Sequence, residues 1–461
     1  MKIYNTKTRQ KEDLIFENNR AKIYACGPTV YDFIHIGNAR MIVIFDTFRR
    51  YLESQGVKVD FVQNFTDIDD KLINKAIAEG KTVQEIADKY IAEYEKDAAG
   101  LNIMPPTYAP KVSENIPEII AFIEDLIAKE YAYISQGDVY FNTANLPEYG
   151  KLSGKNLEDL IGGARVEASS AKKNLTDFVL WKSAKPGEPA WQASFGEGRP
   201  GWHIECSVMF EKYLGKQIDI HCGGADLVFP HHENERAQSL AKNACEPVKH
   251  WVHNGYINID NKKMSKSEGN FFTVRDIAKK HGHMPIRYMS IMSHYRSPIN
   301  FSADLMKICD ATLRRLETRY KHLNNYVESL ATETDNHCDF NNFRNRFFGA
   351  LADDFNTAKA IGVMHEFIHD VYEKIDNLLN KECAVVALQI FDEMLNVLGL
   401  NLAELNEKSV DVDENLQNLL RQRQDARANK DFALADKIRD EVTSHGYKIK
   451  DTPDGAKLEK I

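Results

Sequence analysis

The beginning of the chain alternates two patterns of apolar residues. Residues 22–29 (KIYACGPT) form a short apolar run that ends at Gly27-Pro28, which is typical of a strand followed by a turn. Across residues 39–55 the apolar side chains recur at helical spacing, and Gly56 is well placed to end that helix. Residues 57–65 are a second strand-like run. Strand, helix and strand in succession predict a βαβ unit, and therefore a parallel sheet with ligand chemistry at the strand ends.

Further along, the pattern is mainly helical. Thr82–Glu85 predicts a capping box, and Ser113 is expected to open a helix that runs towards Glu130. Residues 146–201 are irregular and rich in Gly, Pro, Lys and Ser, so we interpret them as part of an insertion without a domain of its own. Strand signals resume at residues 217–222 and 251–259.

From about residue 302 the pattern is helical almost to the end, with a polar break near residues 404–414. The sequence therefore predicts an α/β fold with a Rossmann-like parallel-sheet domain, an inserted connective segment, a helical bundle and a small C-terminal domain. The predicted division is 1–300 for the sheet domain with its insertion at about 110–200, 301–404 for the bundle, and 405–461 for the last domain.

Composition narrows the class of protein without identifying it. With 461 residues, 43% hydrophobic and 28% charged, the chain is an ordinary globular protein of about three domains. A polar N-terminus without a signal-peptide core, and the lack of any apolar run of about 18 residues, predict a cytoplasmic protein outside membranes. Seven cysteines without a CxxC pair predict mostly reduced core residues, with a metal or catalytic role open for a few. A net charge of −9 argues against indiscriminate nucleic-acid binding.

The first motif with candidate chemistry is His35-Ile36-Gly37-Asn38, in the turn between the first strand and its helix. A helix N-terminus presents unpaired N–H groups and a positive dipole end, so it can bind phosphate. A histidine there can donate to a phosphate, and a glycine lets an adenine lie flat against the backbone. Alone, four residues of this kind fit a surface turn better than a binding site.

The second motif is Lys263-Met264-Ser265-Lys266-Ser267, which follows a late predicted strand. Two lysines that flank small hydroxyl residues suit a phosphate clamp, because a compact ammonium can neutralise the charge that grows on pyrophosphate. By itself such a loop is usually a solvated run of charges. Two such motifs, in this order and at these positions, rarely occur together by chance.

With these two motifs the sequence resembles the class I aminoacyl-tRNA synthetases, whose signatures are HIGH and KMSKS. The second signature is intact, and in the first Asn38 keeps a side-chain donor where histidine is usual. Five further segments resemble those of cysteinyl-tRNA synthetases, so that the likeness covers most of the chain: CGPTVYD at 26–32, NFTDIDDK at 64–71, GWHIEC at 201–206, HCGGADLVFPHHENE at 221–235 and DDFNTAKA at 353–360.

The resemblance implies one zinc ion held by Cys26, Cys206, His231 and Glu235. Thiolate, imidazole and carboxylate are all zinc donors, and the i, i+4 spacing of His231 and Glu235 would put both on one face of a helix. Without the resemblance the two cysteines are better interpreted as buried structural residues, and the histidine pair at 231–232 as a helix cap. An HExxH protease motif is excluded, because Arg236 stands where its second histidine belongs.

A zinc ion would explain how the site selects cysteine over other small amino acids. Serine and alanine are similar in volume to cysteine, and an apolar pocket separates such substrates by only about 10–200-fold. A zinc ion binds a thiolate in preference to a neutral hydroxyl and lowers the pKa of the thiol. We therefore hypothesise that the sulfur of the substrate joins the zinc ligands, so that no editing domain is required.

The resemblance also implies the pockets for the small substrates. The cysteine pocket is expected to be lined by Gly27, Thr29, Thr66, Trp202 and His221. The nucleotide is expected to contact His35, Gly37, Asn38, Gly224, Asp226, Lys263 and Lys266. Among these, His35, Asn38 and the two lysines would stabilise the reacting phosphates as the catalytic residues. For Trp202 a core aromatic remains an alternative, and for His221 a surface histidine at a strand end.

Two regions predict contacts with RNA. Between residues 262 and 321 there are thirteen Lys or Arg against five Asp or Glu, which favours a surface that follows a nucleic-acid backbone. A solvated helix face is the alternative. By resemblance the bundle 301–404 would contact the tRNA stem and 405–461 the anticodon, with Arg427, Phe432 and Asp436 as candidates. Phe432 could equally be a core residue of a helical pair.

The implied reaction uses L-cysteine and ATP, with Mg²⁺, to form cysteinyl-adenylate, and then transfers cysteine to tRNA(Cys). A monomer is expected. Two alternatives remain open: a ligase that joins activated cysteine to an amino sugar, and a noncatalytic zinc-containing RNA-binding protein. The helical region after residue 300 counts against the first, and intact KMSKS lysines with a full ligand set count against the second.

Overall fold

A computed structural model gives the structure of the chain. It describes residues 1–154, 170–259, 262–263, 271–329, 339–376, 380–405, 414–428, 431–444, 447–452 and 455–460. The chain divides into two compact units, residues 1–402 and 403–461. Within the described ranges, no helix combines the length and the apolar character that crossing a membrane requires. The predicted three-part domain division stays a prediction.

The strands of the first unit are β1 Lys2–Asn5, β2 Gln10–Asp13, β3 Arg20–Ala25, β4 Lys58–Gln63, β5 Ala132–Ser135, β6 Asp138–Phe141, β7 Phe178–Ser183, β8 Gly198–Pro200, β9 Ile218–Gly224, β10 Val248–Asn254, β11 Ile257–Ile259, β12 Lys262–Lys263 and β13 Ile299–Phe301. Its helices are α1 Ile36–Ser54, α2 Asp70–Glu79, α3 Val83–Gly100, α4 Ile116–Ala128, α5 Ile204–Leu214, α6 Glu233–Asn243, α7 Val274–His281, α8 His283–Ile291, α9 Ala303–Ser329, α10 Asn341–Ala352, α11 Thr357–Asp376 and α12 Lys381–Leu398.

A four-stranded parallel sheet lies at the centre of this unit, in the order β10-β9-β3-β4. The predicted βαβ unit is confirmed as β3-α1-β4. From β3 the chain continues to β4, which lies on one side of β3. The later strands β9 and β10 lie on the other side of β3. Ligands bind outside the carboxyl ends of parallel strands where the strand order reverses in this way, which points to the crevice between β3 and β9.

The predicted irregular insertion contains more regular structure than its composition indicated. Strands β7 and β8, which lie inside residues 146–201, complete a four-stranded antiparallel sheet in the order β5-β6-β7-β8. Side chains of this sheet, including Phe141, Leu180 and Trp181, share one core with Tyr24 and Val62 of the parallel sheet. The connections are rich in Gly, Pro, Lys and Ser, and this composition obscured the pattern of two short strands. Through the shared core, the insertion packs against the central sheet.

Two predicted element boundaries were wrong. The helix expected to open at Ser113 begins at Ile116 instead, and Ser113 donates from its backbone N and its hydroxyl to the carboxylate of Asp67. The single strand predicted over 251–259 is two strands, β10 and β11, because Gly255 lies against the backbone carbonyls of residues 296 and 297. A Cβ at Gly255 would lie 2.6 Å and 2.7 Å from those oxygens, so this close approach leaves no room for a side chain.

The second unit consists of α13 Glu414–Ala428, α14 Phe432–Ser444, β14 Tyr447–Thr452 and β15 Gly455–Lys460. Its core is formed by Leu416, Leu419, Ile438 and Val442, with Ile449 packed against them. The prediction that the chain stays helical almost to its end was wrong here, because β14 and β15 form an antiparallel pair. The α/β fold class as a whole is confirmed.

Candidate active site

A cleft of about 420 Å³ opens at the carboxyl end of the parallel sheet. Its walls come from the segment after β3, the start of α1, the end of β9 and the turn between β10 and β11. Of the predicted site residues, those that line it are Cys26, Gly27, Thr29, His35, Gly37, Asn38, Trp202, Gly224 and Asp226. The reversal of strand order between β3 and β9 and the sequence motifs therefore indicate the same site.

Gly27 is required by the close approach of two strand ends. Its N–H donates to Asn64 Oδ1 at 2.9 Å, and the same oxygen accepts from the hydroxyl of Tyr24 at 3.0 Å. A Cβ built on Gly27 would lie 1.5 Å from the backbone oxygen of Asn64. Because backbone atoms cannot move aside as a flexible side chain can, only glycine fits, and the segment after β3 is held against the segment after β4.

His35 and Asn38 cap the first turn of α1. The backbone N–H of Asn38 donates to His35 Nδ1 at 3.1 Å, and Asn38 Oδ1 accepts from the backbone N–H of His35 at 3.3 Å. Since Nδ1 is an acceptor here, the neutral imidazole carries its proton on Nε2. The asparagine of HIGN thus completes a capping box and still keeps its amide N–H₂ as a donor.

The turn of His35 is hydrogen-bonded to the chain that follows the KMSKS motif. Ile36 N donates to the carbonyl of Phe272 at 3.2 Å, and Val274 N donates to the carbonyl of Ile34 at 3.0 Å. Lys263 belongs to β12, whose backbone alone is described, and Lys266 lies outside the described residues. The two lysines therefore remain predictions.

The donor cluster is the group Cys26, Cys206, His231 and Glu235, in which all four donor atoms lie within 4.8 Å of one another and all four residues are buried. Cys26 follows β3, Cys206 lies in the first turn of α5, and Glu235 lies in the first turn of α6. Three segments that are far apart in the chain meet here because β3 and β9 are neighbours in the sheet. His231 and Glu235 approach as predicted, with Nε2 and Oε1 3.0 Å apart.

Distances within the donor cluster fit a tetrahedral zinc site. Zinc–sulfur bonds of about 2.3 Å and zinc–nitrogen or zinc–oxygen bonds of about 2.0–2.1 Å would place two sulfurs about 3.8 Å apart, and a sulfur and a nitrogen or oxygen about 3.5 Å apart. Here Cys26 Sγ and Cys206 Sγ are 3.8 Å apart. Cys206 Sγ lies 3.6 Å from His231 Nε2, and Cys26 Sγ lies 3.5 Å from Glu235 Oε1. The donor set and its spacing therefore suit this ion.

A second layer of buried side chains orients the donors. His203 Nδ1 and His231 Nδ1 are 2.9 Å apart, which leaves Nε2 of His231 directed at the cluster. His221 Nε2 is 2.8 Å from Glu235 Oε2, so that the other carboxylate oxygen, Oε1, is the one that faces the donors. Partners of this kind fix the orientation of a metal-ligating side chain. His221 is fully buried, which excludes the surface alternative for this residue.

A second set of potential donors overlaps the first and consists of Cys26, His221, His232 and Glu235. In this set His221 is engaged with Glu235, as described above. His232 approaches Cys26 Sγ at 3.3 Å with Nε2, and its Nδ1 lies 2.8 Å from His253 Nε2. Because Nδ1 of His253 continues to the hydroxyl of Thr6 at 2.7 Å, His232 belongs to a chain of hydrogen bonds behind the cluster. Its side chain makes no capping bond, which excludes the helix-cap alternative.

The electrostatics of the cluster favour a cation at its centre. Burial opposes charge on Glu235, yet the nearby His221 and His231 hold the pKa of this carboxyl well below its usual range. Burial likewise opposes charge on His231, but Glu235 and Cys206 raise the pKa of its imidazole to about 10. For Cys26, burial raises the pKa of the thiol well above its usual range. These shifts favour a positive charge beside the buried carboxylate, which is the charge that a metal ion would supply.

Comparison with known proteins decides the family. The family model for the tRNA synthetases class I (C) catalytic domain matches residues 13–311, that for the DALR domain matches 346–403, and that for the cysteinyl-tRNA ligase anticodon binding domain matches 409–457. A cysteine–tRNA ligase of Caldicellulosiruptor saccharolyticus is 48% identical over 466 residues, and one of Clostridioides difficile is 49% identical over 469, with 100% of each chain covered.

The chain belongs to the cysteine–tRNA ligase family. Solved structures agree with this fold class. A leucyl-tRNA synthetase of Agrobacterium radiobacter K84 has a TM-score of 0.61 at 10% identity, covering 84% of this chain and 85% of that one. A methionyl-tRNA synthetase of Mycobacterium tuberculosis has a TM-score of 0.58 at 12% identity, covering 90% and 96%. At such identities the likeness concerns the fold alone.

Two of the residues predicted to contact the substrate, Trp202 and Thr66, differ in their exposure to solvent. Trp202 lines the cleft with 41% of its surface exposed and contacts His231 in a tilted arrangement with ring centroids 4.2 Å apart, so the core-aromatic alternative is excluded. Thr66 is only 2% exposed, and its hydroxyl donates to the carboxylate of Glu205 at 2.8 Å. It lies behind the cleft wall, where its backbone bridges to Thr29.

Several residues of the synthetase site were missed by sequence reasoning. Those that line the cleft include Tyr31, Asp32, Lys71, Asn254, Tyr256 and Phe271. Those behind it include His203, Glu205 and His253. Most belong to the segments that carried the resemblance, or follow directly after a strand. Their proximity to those segments was the available signal, but nothing in the spacing showed which side chains face inward.

The predicted basic surface is smaller than the count of charges suggested. Arg275 pairs with Glu93 and Asp97, and Arg287 donates to Asp46 from a fully buried position. These guanidinium groups hold helices of the synthetase together, so they do not contribute to an open RNA-binding surface. The remaining basic residues, including those on α9, keep the predicted role as a proposal.

The three predicted anticodon contacts lie in the second unit, on α13 and α14. Arg427 and Asp436 are exposed, and Asp436 pairs with Arg439 at 3.0 Å. Phe432 is 63% exposed, which excludes the core alternative for this side chain. An exposed aromatic residue beside basic residues is a feature that single-stranded RNA recognition uses. Their role in binding tRNA stays a prediction.

Proposed function

We propose that the protein activates L-cysteine with ATP and transfers it to the terminal ribose of tRNA(Cys). The family assignment supports the reaction class. The observation that carries the proposal is that Cys26 belongs both to the buried donor cluster and to the cleft wall, while His35 caps a helix N-terminus in the same cleft. A site for a thiol and a site for phosphates thus share one cavity.

In this proposal one zinc ion is held by Cys26, Cys206, His231 and Glu235. When bound, it supplies an electrophilic centre that prefers a thiolate to a hydroxyl or a methyl group, and so separates cysteine from serine and alanine. His203 and His221 orient two of the ligands from behind. Trp202, in contact with the ring of His231, narrows the entrance to the amino-acid end of the cleft.

The first step of the proposed reaction joins a carboxylate oxygen of cysteine to the α-phosphorus of ATP, and the bond to pyrophosphate breaks. The negative charge moves to pyrophosphate, which ATP brings with its Mg²⁺. Nε2–H of His35 can donate to a phosphate oxygen, and the positive dipole end of α1 stabilises the phosphate charge. Lys263 and Lys266 are proposed to act on the same phosphates.

In the second step the terminal ribose hydroxyl bonds to the carbonyl carbon of the adenylate, AMP leaves, and the hydroxyl proton is released. Neither step requires a protein nucleophile, so positioning in the cleft supplies the rate enhancement. We expect the bundle and the second unit to bind the tRNA. A monomeric cytoplasmic protein remains our expectation, and light scattering on the purified chain tests the oligomeric state.

Two observations argue against the alternatives. A cysteine ligase for amino sugars needs no tRNA-binding end, whereas the cysteine–tRNA ligases are matched over 100% of both chains. A noncatalytic RNA-binding protein needs neither an open cleft nor a buried donor cluster that borders it. Both alternatives are decided by the substrate requirement of the purified protein.

The test is cysteine-dependent exchange of labelled pyrophosphate into ATP, followed by charging of a tRNA(Cys) transcript, together with zinc analysis by mass spectrometry. We expect exchange with cysteine, little with serine, and loss of both zinc and exchange in Cys206→Ser. Cys245→Ser, at an exposed cysteine, is the matched control and should keep both. Exchange without charging of tRNA would favour the amino-sugar ligase, and no exchange from folded, zinc-loaded protein would leave the RNA-binding alternative.

A further inference from the structure

Charge along the cleft wall is unevenly distributed. Among the described residues that line the cleft, Asp32 and Asp226 carry acidic groups, and Lys71 is the one lysine or arginine. ATP, the adenylate and the 3′ end of a tRNA are all anionic. A wall with two carboxylates therefore needs a cation if it is to accept them.

The other basic groups near this part of the cleft are already neutralised. Lys75, one turn further along α2, lies 3.8 Å from Asp32 and 3.9 Å from Glu79. Arg199 donates to Asp70 and to Glu188. Lys71 differs from them, because within the described part of the chain no carboxylate forms an ion pair with its ammonium group.

Lys71 is nevertheless held in a defined position. Its ammonium lies 5.1 Å from the centroid of the Tyr31 ring, a cation–π contact with another residue of the cleft wall. Its backbone N–H donates to Asp69 Oδ1 at 2.9 Å, which fixes it in the first turn of α2. The preceding residue, Asp70, is bound by Lys182 and Arg199 of the antiparallel sheet. The first turn of α2 and the ring of Tyr31 therefore set the position of Lys71.

We propose that Lys71 binds a phosphate group inside the cleft, either of ATP or of the terminal nucleotide of tRNA. This inference rests on the proposed function, since it names a residue for the same reaction. A compact ammonium on a flexible stem suits a point contact with a phosphate oxygen, and the ring of Tyr31 keeps it close to the wall until the phosphate arrives. Lys71, Tyr31, Asp32 and His35 all line the same cleft.

Two variants separate the charge of Lys71 from its volume. Lys71→Met keeps an unbranched stem and removes the ammonium, whereas Lys71→Arg keeps a positive charge. Lys81→Ala, just beyond α2, removes an exposed lysine that pairs only with Glu79 at 3.1 Å and serves as the matched control. The measurements are pyrophosphate exchange at varied ATP and varied cysteine, single-turnover transfer to a tRNA(Cys) transcript, and thermal unfolding.

A hydrogen bond to a charged group contributes enough that Lys71→Met should lose about tenfold or more in the step that uses the phosphate. A raised KM for ATP in exchange identifies an ATP phosphate, and a loss confined to transfer identifies a phosphate of tRNA. Lys71→Arg should restore most of either loss, with the unfolding temperature unchanged in all three variants. Rates within twofold of wild type in both steps, a change only in the KM for cysteine, or an equal loss in Lys71→Arg would overturn the proposal. A wild-type protein without exchange would instead contradict the proposed function itself.

Discussion

The donor cluster and the exposed rim of the cleft differ in burial and in the kinds of residue that form them. In the donor cluster, two thiols, an imidazole and a carboxylate are buried, and the imidazole and the carboxylate are each oriented by a further histidine. The exposed rim, formed by Lys71, Trp202, Asp226 and Tyr256, faces solvent and has fewer fixed contacts. A metal ligand must be rigid and desolvated, whereas groups that admit ATP and tRNA must stay accessible. Substitutions should therefore affect metal content and stability in the first region, and substrate affinity in the second.

The largest effect is expected from Glu235→Gln. The amide removes the buried negative charge and weakens a ligand that His221 and His231 now hold in place. Loss of a residue behind a ligand typically costs about 10–100-fold in metal affinity, and loss of the ligand itself should exceed that range. Competition with a zinc chelator measures the affinity. Glu211→Gln, at a surface carboxylate on α5 that pairs with Lys242, should leave zinc bound; equal zinc affinity in wild type and Glu235→Gln would remove this residue from the ligand set.

A smaller effect, on stability, is expected from Gly27→Ala. The new methyl group would meet the backbone oxygen of Asn64, and forcing the two strand ends apart should cost about 1–3 kcal/mol in the free energy of unfolding. Denaturant unfolding measures this difference. Gly349→Ala is the matched control, because its Cβ would meet no atom within 4 Å on helix α10. If both variants unfold alike, the close approach at Gly27 does not constrain the site.

The capping box of α1 offers a test at the border between the two regions. Asn38→Ala removes the side-chain acceptor for the backbone N–H of His35 and should cost about 1 kcal/mol of stability. Asn38→Asp keeps an acceptor and should keep that stability, while its negative charge should raise the KM for ATP. Unfolding and exchange kinetics on both variants distinguish a capping role from a phosphate contact. An unchanged KM in Asn38→Asp would show that this side chain does not approach the nucleotide.

The smallest change in stability is expected at the exposed rim. Trp202→Ala should alter the free energy of unfolding by no more than about 0.5 kcal/mol, as is usual for exposed positions. An aromatic contact of about 0.5–1.5 kcal/mol corresponds to a rise of about 2- to 12-fold in the KM for cysteine. Ile77→Ala, at another exposed apolar side chain, is the control and should leave that KM unchanged. A large loss of stability in Trp202→Ala would contradict the division between the two regions.

Sequence reasoning succeeded where chemistry and local spacing coincide. The βαβ unit, the turn at His35 and the proximity of the four potential donors could be predicted, because each depends on a few consecutive residues or on a family segment. The role of those four residues as ligands stays a prediction. Sequence reasoning failed for β7 and β8, whose pairing depends on strands distant in the chain and on a core shared with Tyr24. The roles of Glu205 and His203 could not be predicted from the sequence either, because each depends on the side chain that the residue contacts in the folded protein. Periodicity alone cannot supply that information.

The order of the donors along the chain has a consequence for synthesis. Cys26 and Cys206 are separated by 180 positions, and Cys26 and Glu235 by 209. At roughly 5–20 residues per second, a ribosome needs about 10–40 seconds to proceed from the first donor to the last. During that time Cys26 is a thiol without its partners on a growing chain. A metal ion held by all four donors of the proposed site could therefore enter only after more than half of the protein has been translated.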